Sequence, residues 1–325
     1  MITAHAQQPA QLNVCHAGSL TAAFTPVERE FEREHPGVKV VDTAGGSVDL
    51  ARRFAAGRLP CDVYAPADHL VIDTLLEPSK LADYSIVFAH GRMVLAYLAT
   101  DPKAAKLPVT GTFQPPASIP QVAAGWDDVL TMPGVRMAGA HPFMDPGGYR
   151  SHMLFELAQA ALKKPGLYNA LLSHYQVNVA DPTGATPAPA LGKDFNFQTT
   201  YEHSALTAAS TNPAYRFARL PDSIDLSSDA PGRYAASRIT IPGAGIPGAP
   251  ASVTIPASRT EWGITLAATT PSRDLAVAFV ALLLGPTGRA ALESHGPAPL
   301  VPARVTPSDA PRLPPALQRL VSTEN

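Results

Sequence analysis

Three short segments of this chain carry residues suited to holding an anion: Ala17-Gly18-Ser19, Gly45-Gly46-Ser47 and Pro146-Gly147-Gly148-Tyr149. Small residues let a ligand come close to the backbone, and free N–H groups at a following helix start favour negative charge. The serines add hydroxyl donors without adding charge. Read alone, any one of these segments is an ordinary helix cap. Three of them, each at the end of a strand, point to an oxyanion site.

Catalytic constellations are weaker. The chain has no Gly-x-Ser-x-Gly elbow, phosphate loop or His-Glu-x-x-His pattern. His16 lies just before Gly18-Ser19 and could orient a nucleophile, but a strand-end histidine bonded to backbone is the simpler reading. His141 and Asp145 are spaced too loosely to specify a metal site. Cys15 and Cys61 fall at comparable heights in two strands expected to be neighbours, as core thiols or as a disulfide.

The elements that position these segments alternate. Leu12–Ala17, Val38–Val41 and Asp62–Ala65 are strands with helix signals between and after them, the β-α-β-α-β order of an open parallel sheet. Thr25-Pro26-Val27-Glu28 reads as a capping box that starts the first long helix, leaving an isolated turn behind Ser19. Ile86–Phe88 and Met93–Tyr97 are long strand material broken near Gly91, and Asp101–Pro120 is a connection. A second α/β unit begins at Val135–Gly139 and continues in a helix carrying Met153, Leu154 and Leu157. The stretch from Phe195 to Tyr201 alternates as a strand, and Arg238–Pro242 with Ser252–Pro256 forms a hairpin. In open parallel sheets ligands bind off the C-terminal ends of the strands, where the three small-residue segments sit.

With 325 residues, 46% apolar and 16% charged, the chain can bury roughly three quarters of its extended surface. A formal net charge of −2 argues against a polyanion binder. No apolar run is long enough to cross a bilayer as a helix. Ala4-His5-Ala6 matches a signal-peptide cleavage site without the basic and apolar regions that precede one, and no lipid-attachment cysteine lies nearby. The pattern reads either as the remnant of a signal peptide only partly present, on a protein exported to the periplasm, or as an ordinary Ala-rich chain end.

Taken in order, His16-Ala17-Gly18-Ser19-Leu20, Phe31-Glu32-Arg33-Glu34-His35-Pro36, Gly46-Ser47-Val48 and Asp62-Val63-Tyr64-Ala65-Pro66-Ala67-Asp68 resemble the tungstate/molybdate-binding proteins of ABC importers, in the branch first known from archaea. Asp145-Pro146-Gly147-Gly148-Tyr149-Arg150, Tyr201-Glu202-His203-Ser204-Ala205 and Leu284-Gly285-Pro286-Thr287-Gly288-Arg289 extend the likeness along nearly the whole chain. The resemblance implies an α/β, two-lobed periplasmic binding protein of type II. Each lobe is expected to be a mostly parallel sheet flanked by helices, with crossing hinge strands between them. Residues 1–10 are expected to be a disordered remnant of the export region, 11–95 with 262–325 the first lobe, and 96–261 the second.

The resemblance further implies a non-enzymatic, monomeric solute-binding protein without a cofactor, which takes molybdate or tungstate into the inter-lobe cleft and passes it to an ABC permease. Phosphate or sulfate binding, or a sensor without a transport role, are the alternatives. The family's binding positions match Ser19, Ser47, Asp145, Gly147, Gly148 and Tyr201, with Asp145 a ligand of the Mo or W centre. The branch also uses a Glu just before the Phe195–Tyr201 strand, where this chain has Ala190-Leu191-Gly192-Lys193-Asp194. Leu191 falls at or beside that position and cannot ligate, and a register shift would bring in Asp194. Asp145 then has three possible roles: ligand of the metal centre, acceptor for a protonated oxyanion, or simple helix cap.

Overall fold

The structure, a computed structural model, describes residues 10–178 and 189–324. The Ala4-His5-Ala6 pattern lies outside the described residues. Ala10, expected in a disordered segment, is already the first residue of a strand.

Among the described residues, two seven-stranded sheets form the body of the molecule. The first contains β1 (Ala10–Ala17), β2 (Val38–Gly45), β3 (Val63–Ala65), β4 (Ile86–Gly91), β14 (Thr260–Leu266), β15 (Ala298–Val305) and β16 (Val321–Thr323), in the order β16-β15-β4-β14-β3-β1-β2. The second contains β5 (Met93–Leu98), β6 (Val109–Thr110), β7 (Gln121–Val122), β8 (Met137–Gly139), β9 (Tyr175–Val177), β10 (Phe197–Tyr201) and β11 (Tyr215–Arg219), in the order β6-β7-β11-β5-β10-β8-β9. A separate hairpin pairs β12 (Arg238–Pro242) with β13 (Ser252–Pro256). The helices are α1 (Thr21–Glu34), α2 (Ser47–Ala55), α3 (Trp126–Leu130), α4 (Pro146–Leu162), α5 (Leu167–Ser173), α6 (Glu202–Thr211), α7 (Arg273–Leu284), α8 (Pro286–His295) and α9 (Pro315–Gln318).

The sheets are mixed, not mostly parallel. Each has three parallel and three antiparallel pairings. The reason lies in the connection between the lobes. β1, β2, β3 and β4 all point their C-terminal ends at the other lobe, whereas β14 arrives from it and must run against β3 and β4. β5, which leaves the first sheet after Gly91, likewise runs against β10 and β11. The chain passes from one sheet to the other at Arg92 and returns by Thr260.

α1 begins at Thr21, directly after a single turn at Gly18–Leu20, and Pro26 lies inside it. The capping box at Thr25 is thus not the helix start. Phe24, Val27 and Phe31 are fully buried on one side of α1, where Phe24 and Phe31 meet Phe279 of α7 at 6.2 and 5.4 Å. Burial of such side chains, about 1.5–3 kcal/mol each, outweighs the hydrogen bond that proline cannot make. The helix expected after Asp68 is reduced to a five-residue turn of helix at Ile72–Leu76. Cys15 and Cys61 form a disulfide with a Cα separation of 5.7 Å, which resolves the two alternatives.

Candidate functional site

The C-terminal ends of β1, β2, β3, β8 and β10 converge between the lobes, and the turns that follow them build the site. A cavity of about 330 Å³ there is lined by Gly18, Ser19, Gly45, Asp145, Gly147 and the β10 residues that end at Tyr201, with Ala140 and Ser204 completing the wall. Four of the six expected binding residues, Ser19, Asp145, Gly147 and Tyr201, therefore come together.

Ser19 sits in the turn between β1 and α1. Its Oγ accepts the indole N–H of the buried Trp262 at 3.1 Å, which leaves its own proton to donate. Its carbonyl faces Nε2 of His203, from the other lobe, at 3.0 Å. That contact requires the proton on Nε2, and burial lowers the His203 pKa to about 4, so the ring is a neutral donor. Tyr201 closes the opposite wall, edge-on to Trp262 at 4.9 Å and stacked on His203 at 5.8 Å. Its phenol oxygen accepts from Nη1 of Arg150 at 3.0 Å. Burial, followed by the opposing effect of Arg150, leaves its pKa well above the ordinary tyrosine value, so it remains an O–H donor.

Asp145 is the N-cap of α4, and its Oδ1 accepts the Gly147 N–H at 2.7 Å. Burial raises its pKa, while the N–H groups of Gly147 and Ser47 and the charge of Arg150 pull the other way. The capping role and a place in the cavity wall thus coexist in one side chain. Among the described residues that line the cavity, Asp145 is the only carboxylate.

Ser47 and Gly148 do not line the cavity. Ser47 is fully buried at the start of α2, where its Oγ accepts the Ala67 N–H at 3.0 Å and its carbonyl accepts the Tyr64 O–H at 2.6 Å. Ser47 is closed off from the cavity wall, so it acts on the site through its N–H, which helps hold down the Asp145 pKa. A side chain at Gly148 would place Cβ 2.5 Å from the Ala140 carbonyl, so this glycine lets α4 seat against the loop behind it. Leu191 and Asp194 also lie away from the cavity. Both precede Phe197, at the far end of β10 from Tyr201, and the strand alone spans about 13 Å. Asp194 instead accepts the Ala190 N–H at 2.8 Å. Neither position can supply a second carboxylate.

The histidines considered for catalysis are outside the cavity. His16 faces the Ala17 carbonyl at 2.8 Å and Asp42 at 2.7 Å, and Nδ1 of His141 accepts the Phe143 N–H at 3.1 Å. A larger cavity of about 540 Å³ opens on the hinge side, lined in part by Arg92, Glu202, His203 and Arg259. Two of its charged groups are already paired, Arg92 with Asp225 at 3.2 Å and Glu202 with Arg219 at 2.7 Å. The smaller cavity, where unpaired hydroxyl protons converge, is the better candidate for an anion.

Sequence reasoning missed the residues that join the lobes. Arg150, 2% exposed, donates to the Ala67 carbonyl and lies 3.1 Å from Oδ2 of Asp68, which also accepts the Tyr149 O–H at 2.6 Å. Arg52 of α2 donates to the backbone carbonyls of Phe143, Pro242 and Gly243, and the Asp49 N–H donates to Met144 at 3.1 Å. Only glycine fits at position 46, because a Cβ would lie 2.6 Å from the Met144 carbonyl. Asp68, Tyr149 and Arg150 all stand in segments that carry the family resemblance, and a charged residue beside a turn was the available signal.

The family model for bacterial extracellular solute-binding proteins matches residues 12–297. The chain belongs to that family. An uncharacterized solute-binding protein of Methanoculleus marisnigri is 32% identical, over 98% of this chain and 89% of its own. The molybdate/tungstate-binding protein WtpA of Thermococcus kodakarensis is 27% identical, over 87% of this chain and 81% of its own. Among solved structures, the sulfate-binding protein SubI of Mycobacterium tuberculosis superposes with a TM-score of 0.57 at 13% identity, covering 97% of this chain and 94% of that one. The fold of this solute-binding protein is accordingly the two-lobed periplasmic binding protein fold.

Proposed function

We propose that this solute-binding protein captures molybdate or tungstate in the cleft between its lobes and delivers it to an ABC permease. The observation that carries the reading is the donor set of the 330 Å³ cavity: hydroxyl groups from opposite lobes, Ser19 and Tyr201, and the N-terminus of α4 around a single carboxylate, Asp145. Neutral donors and helix ends hold a dianion without a net positive site. The carboxylate selects among dianions. Molybdenum and tungsten can take a carboxylate oxygen into their coordination, whereas sulfate offers no such position and no proton at neutral pH. The relationship to WtpA supports the same ligand class. With Leu191 and Asp194 out of reach, Asp145 is the one carboxylate the described residues offer the metal.

Hydrogen phosphate is the second reading, and Asp145 favours it too, since an ionised carboxylate can accept the proton of that ion. The protein acts as a monomer, without a cofactor, outside the cytoplasmic membrane, and the Cys15–Cys61 disulfide supports that compartment. Calorimetric titration of the ligand-free protein with molybdate, tungstate, sulfate and phosphate tests the proposal. Molybdate or tungstate should bind much more tightly than the other two. Phosphate binding most tightly would reassign Asp145 as a proton acceptor, and no binding by any of the four would refute the oxyanion reading.

A further inference from the structure

Arg150 is a buried charge, and nearly every group around it belongs to a different part of the site. Nη1 donates both to the Ala67 carbonyl and to the Tyr201 phenol oxygen, the latter at 3.0 Å. Nη2 lies 3.1 Å from Oδ2 of Asp68. The remaining capacity of Asp68 is filled by the Tyr149 O–H at 2.6 Å and the Leu70 N–H at 3.1 Å. Ala67 and Asp68 follow β3 in the first lobe, whereas Arg150, Tyr149 and Tyr201 belong to the second. Arg150 therefore makes its two first-lobe contacts only when the lobes are together. Among the described residues no protein group accepts the Tyr201 phenol proton, so a phenol whose oxygen is held by Arg150 has its proton left for the cavity it lines.

We propose that Arg150 is the positioning residue of this site: it fixes the Tyr201 phenol oxygen as an acceptor, so that the O–H is aimed at the bound oxyanion, and it couples that arrangement to lobe closure through Ala67 and Asp68. This rests on the oxyanion-binding reading above. The arrangement also explains how a guanidinium can stand beside the site without making it a general anion trap. In the closed protein Asp68 balances the charge of Arg150, and what the ligand meets is an oriented neutral donor. With the lobes apart, Arg150 and Asp68 separate and the guanidinium is free to draw an anion into the cleft.

The test is a double-mutant cycle read by calorimetric titration with molybdate, using the wild type, Arg150→Met, Tyr201→Phe and the combination. Methionine keeps bulk while removing the charge and the donors. Each single variant should bind about 10- to 100-fold more weakly. In the Tyr201→Phe background, Arg150→Met should cost much less than in the wild type, because the group it positions is already gone. Losses that multiply independently, or unchanged affinity in Arg150→Met, would overturn the positioning role. Should Arg150→Met fail to fold because Asp68 is left buried and unpaired, the two Arg150→Met proteins of the cycle carry Asp68→Asn as well, which removes the orphan carboxylate. The wild-type arm separates the two ideas: if it binds no oxyanion, the reading of the site falls and Arg150 falls with it. If it binds and the cycle shows no coupling, only the role of Arg150 is lost.

Discussion

Replacing Asp145 with asparagine separates the two things this side chain does. As a cap it accepts the Gly147 N–H at 2.7 Å, and asparagine keeps that acceptor and ranks with aspartate at helix N-caps. The fold should therefore lose less than about 1 kcal/mol. The charge is a larger matter. At an effective dielectric near 20, a carboxylate about 4 Å from a unit negative charge is repelled by about 4 kcal/mol, and by about twice that from a dianion. Burial has already raised the Asp145 pKa, so bringing a second anion beside it is unfavourable unless something compensates. Sulfate has no means of compensation, whereas a molybdenum or tungsten centre can bond to the carboxylate oxygen.

Asp145→Asn should accordingly move the two ligands in opposite directions. If a quarter of the dianion repulsion is felt in the wild type, about 2 kcal/mol, its removal strengthens sulfate binding about 30-fold. Loss of a metal–carboxylate contact should weaken molybdate binding by at least about tenfold, the effect of a single charge-assisted contact. Calorimetric titration of both proteins with both anions gives the selectivity ratio, in which any general damage to the site cancels. An unchanged ratio would refute the reasoning. A gain for both anions would make Asp145 a cap whose charge merely repels.

Three further outcomes follow from the geometry. Ser19→Ala should weaken oxyanion binding by about 1–3 kcal/mol, whereas Ser47→Ala, which lies outside the cavity wall and leaves the buried Ala67 N–H without its acceptor, should lower the urea unfolding free energy by a similar amount with little effect on affinity. The reverse pattern would show that the two hydroxyls have been assigned wrongly. Removing the Cys15–Cys61 link, which closes a loop of sequence separation 46, should cost about 4 kcal/mol of unfolding free energy on the chain-entropy estimate, and unchanged stability of the Cys15→Ala/Cys61→Ala variant would refute it. Glu28 has its pKa raised to about 7, first by burial and then by Asp42, with Glu32 adding to the rise and His16 and Lys39 opposing it. Its proton is held more tightly in the native than in the unfolded state, so its contribution is complete below pH 4.5 and lost as the pH rises through about 7. Urea midpoints should fall from pH 5 to 8 in the wild type and fall less in Glu28→Gln; parallel slopes would exclude Glu28 as the cause.

Some of this molecule is written locally and some is not. The hairpin Arg238–Pro242 with Ser252–Pro256 matches its sequence reading residue for residue, because alternation and a Gly/Pro turn are short-range signals. The start of α1 is a case of the opposite kind. Thr25-Pro26 is a strong local start signal, but the buried side of α1 overrides it and the helix begins at Thr21. The mixed sheets are equally invisible to local pattern, since strand direction depends on which segments cross between the lobes. At the site, the small residues after β1, β2 and β8 marked the right turns. What they left open is where each hydroxyl points. Ser19 and Ser47 follow similar small residues, and only the tertiary position of Trp262 and of the Ala67 N–H separates their roles. Arg150 was hidden for the same reason, its partner Asp68 being 82 residues away in sequence.

Charge bookkeeping within the closed cleft narrows what the site can distinguish. Arg150 and Asp68 balance one another at 3.1 Å, and Arg52 is spent on the carbonyls of Phe143, Pro242 and Gly243. Among the described residues of the cavity wall, the one carboxylate is Asp145. A pocket of this balance gains nothing from negative charge as such, and its hydroxyl and N–H donors fit any tetrahedral oxyanion about equally well. Discrimination must then come from what the central atom or a ligand proton offers to Asp145. Chloride, nitrate and sulfate offer neither. Molybdate and tungstate offer the metal, and hydrogen phosphate offers a proton. On the proposed reading, the carboxylate that would be a liability in a general anion site is the feature that restricts this one.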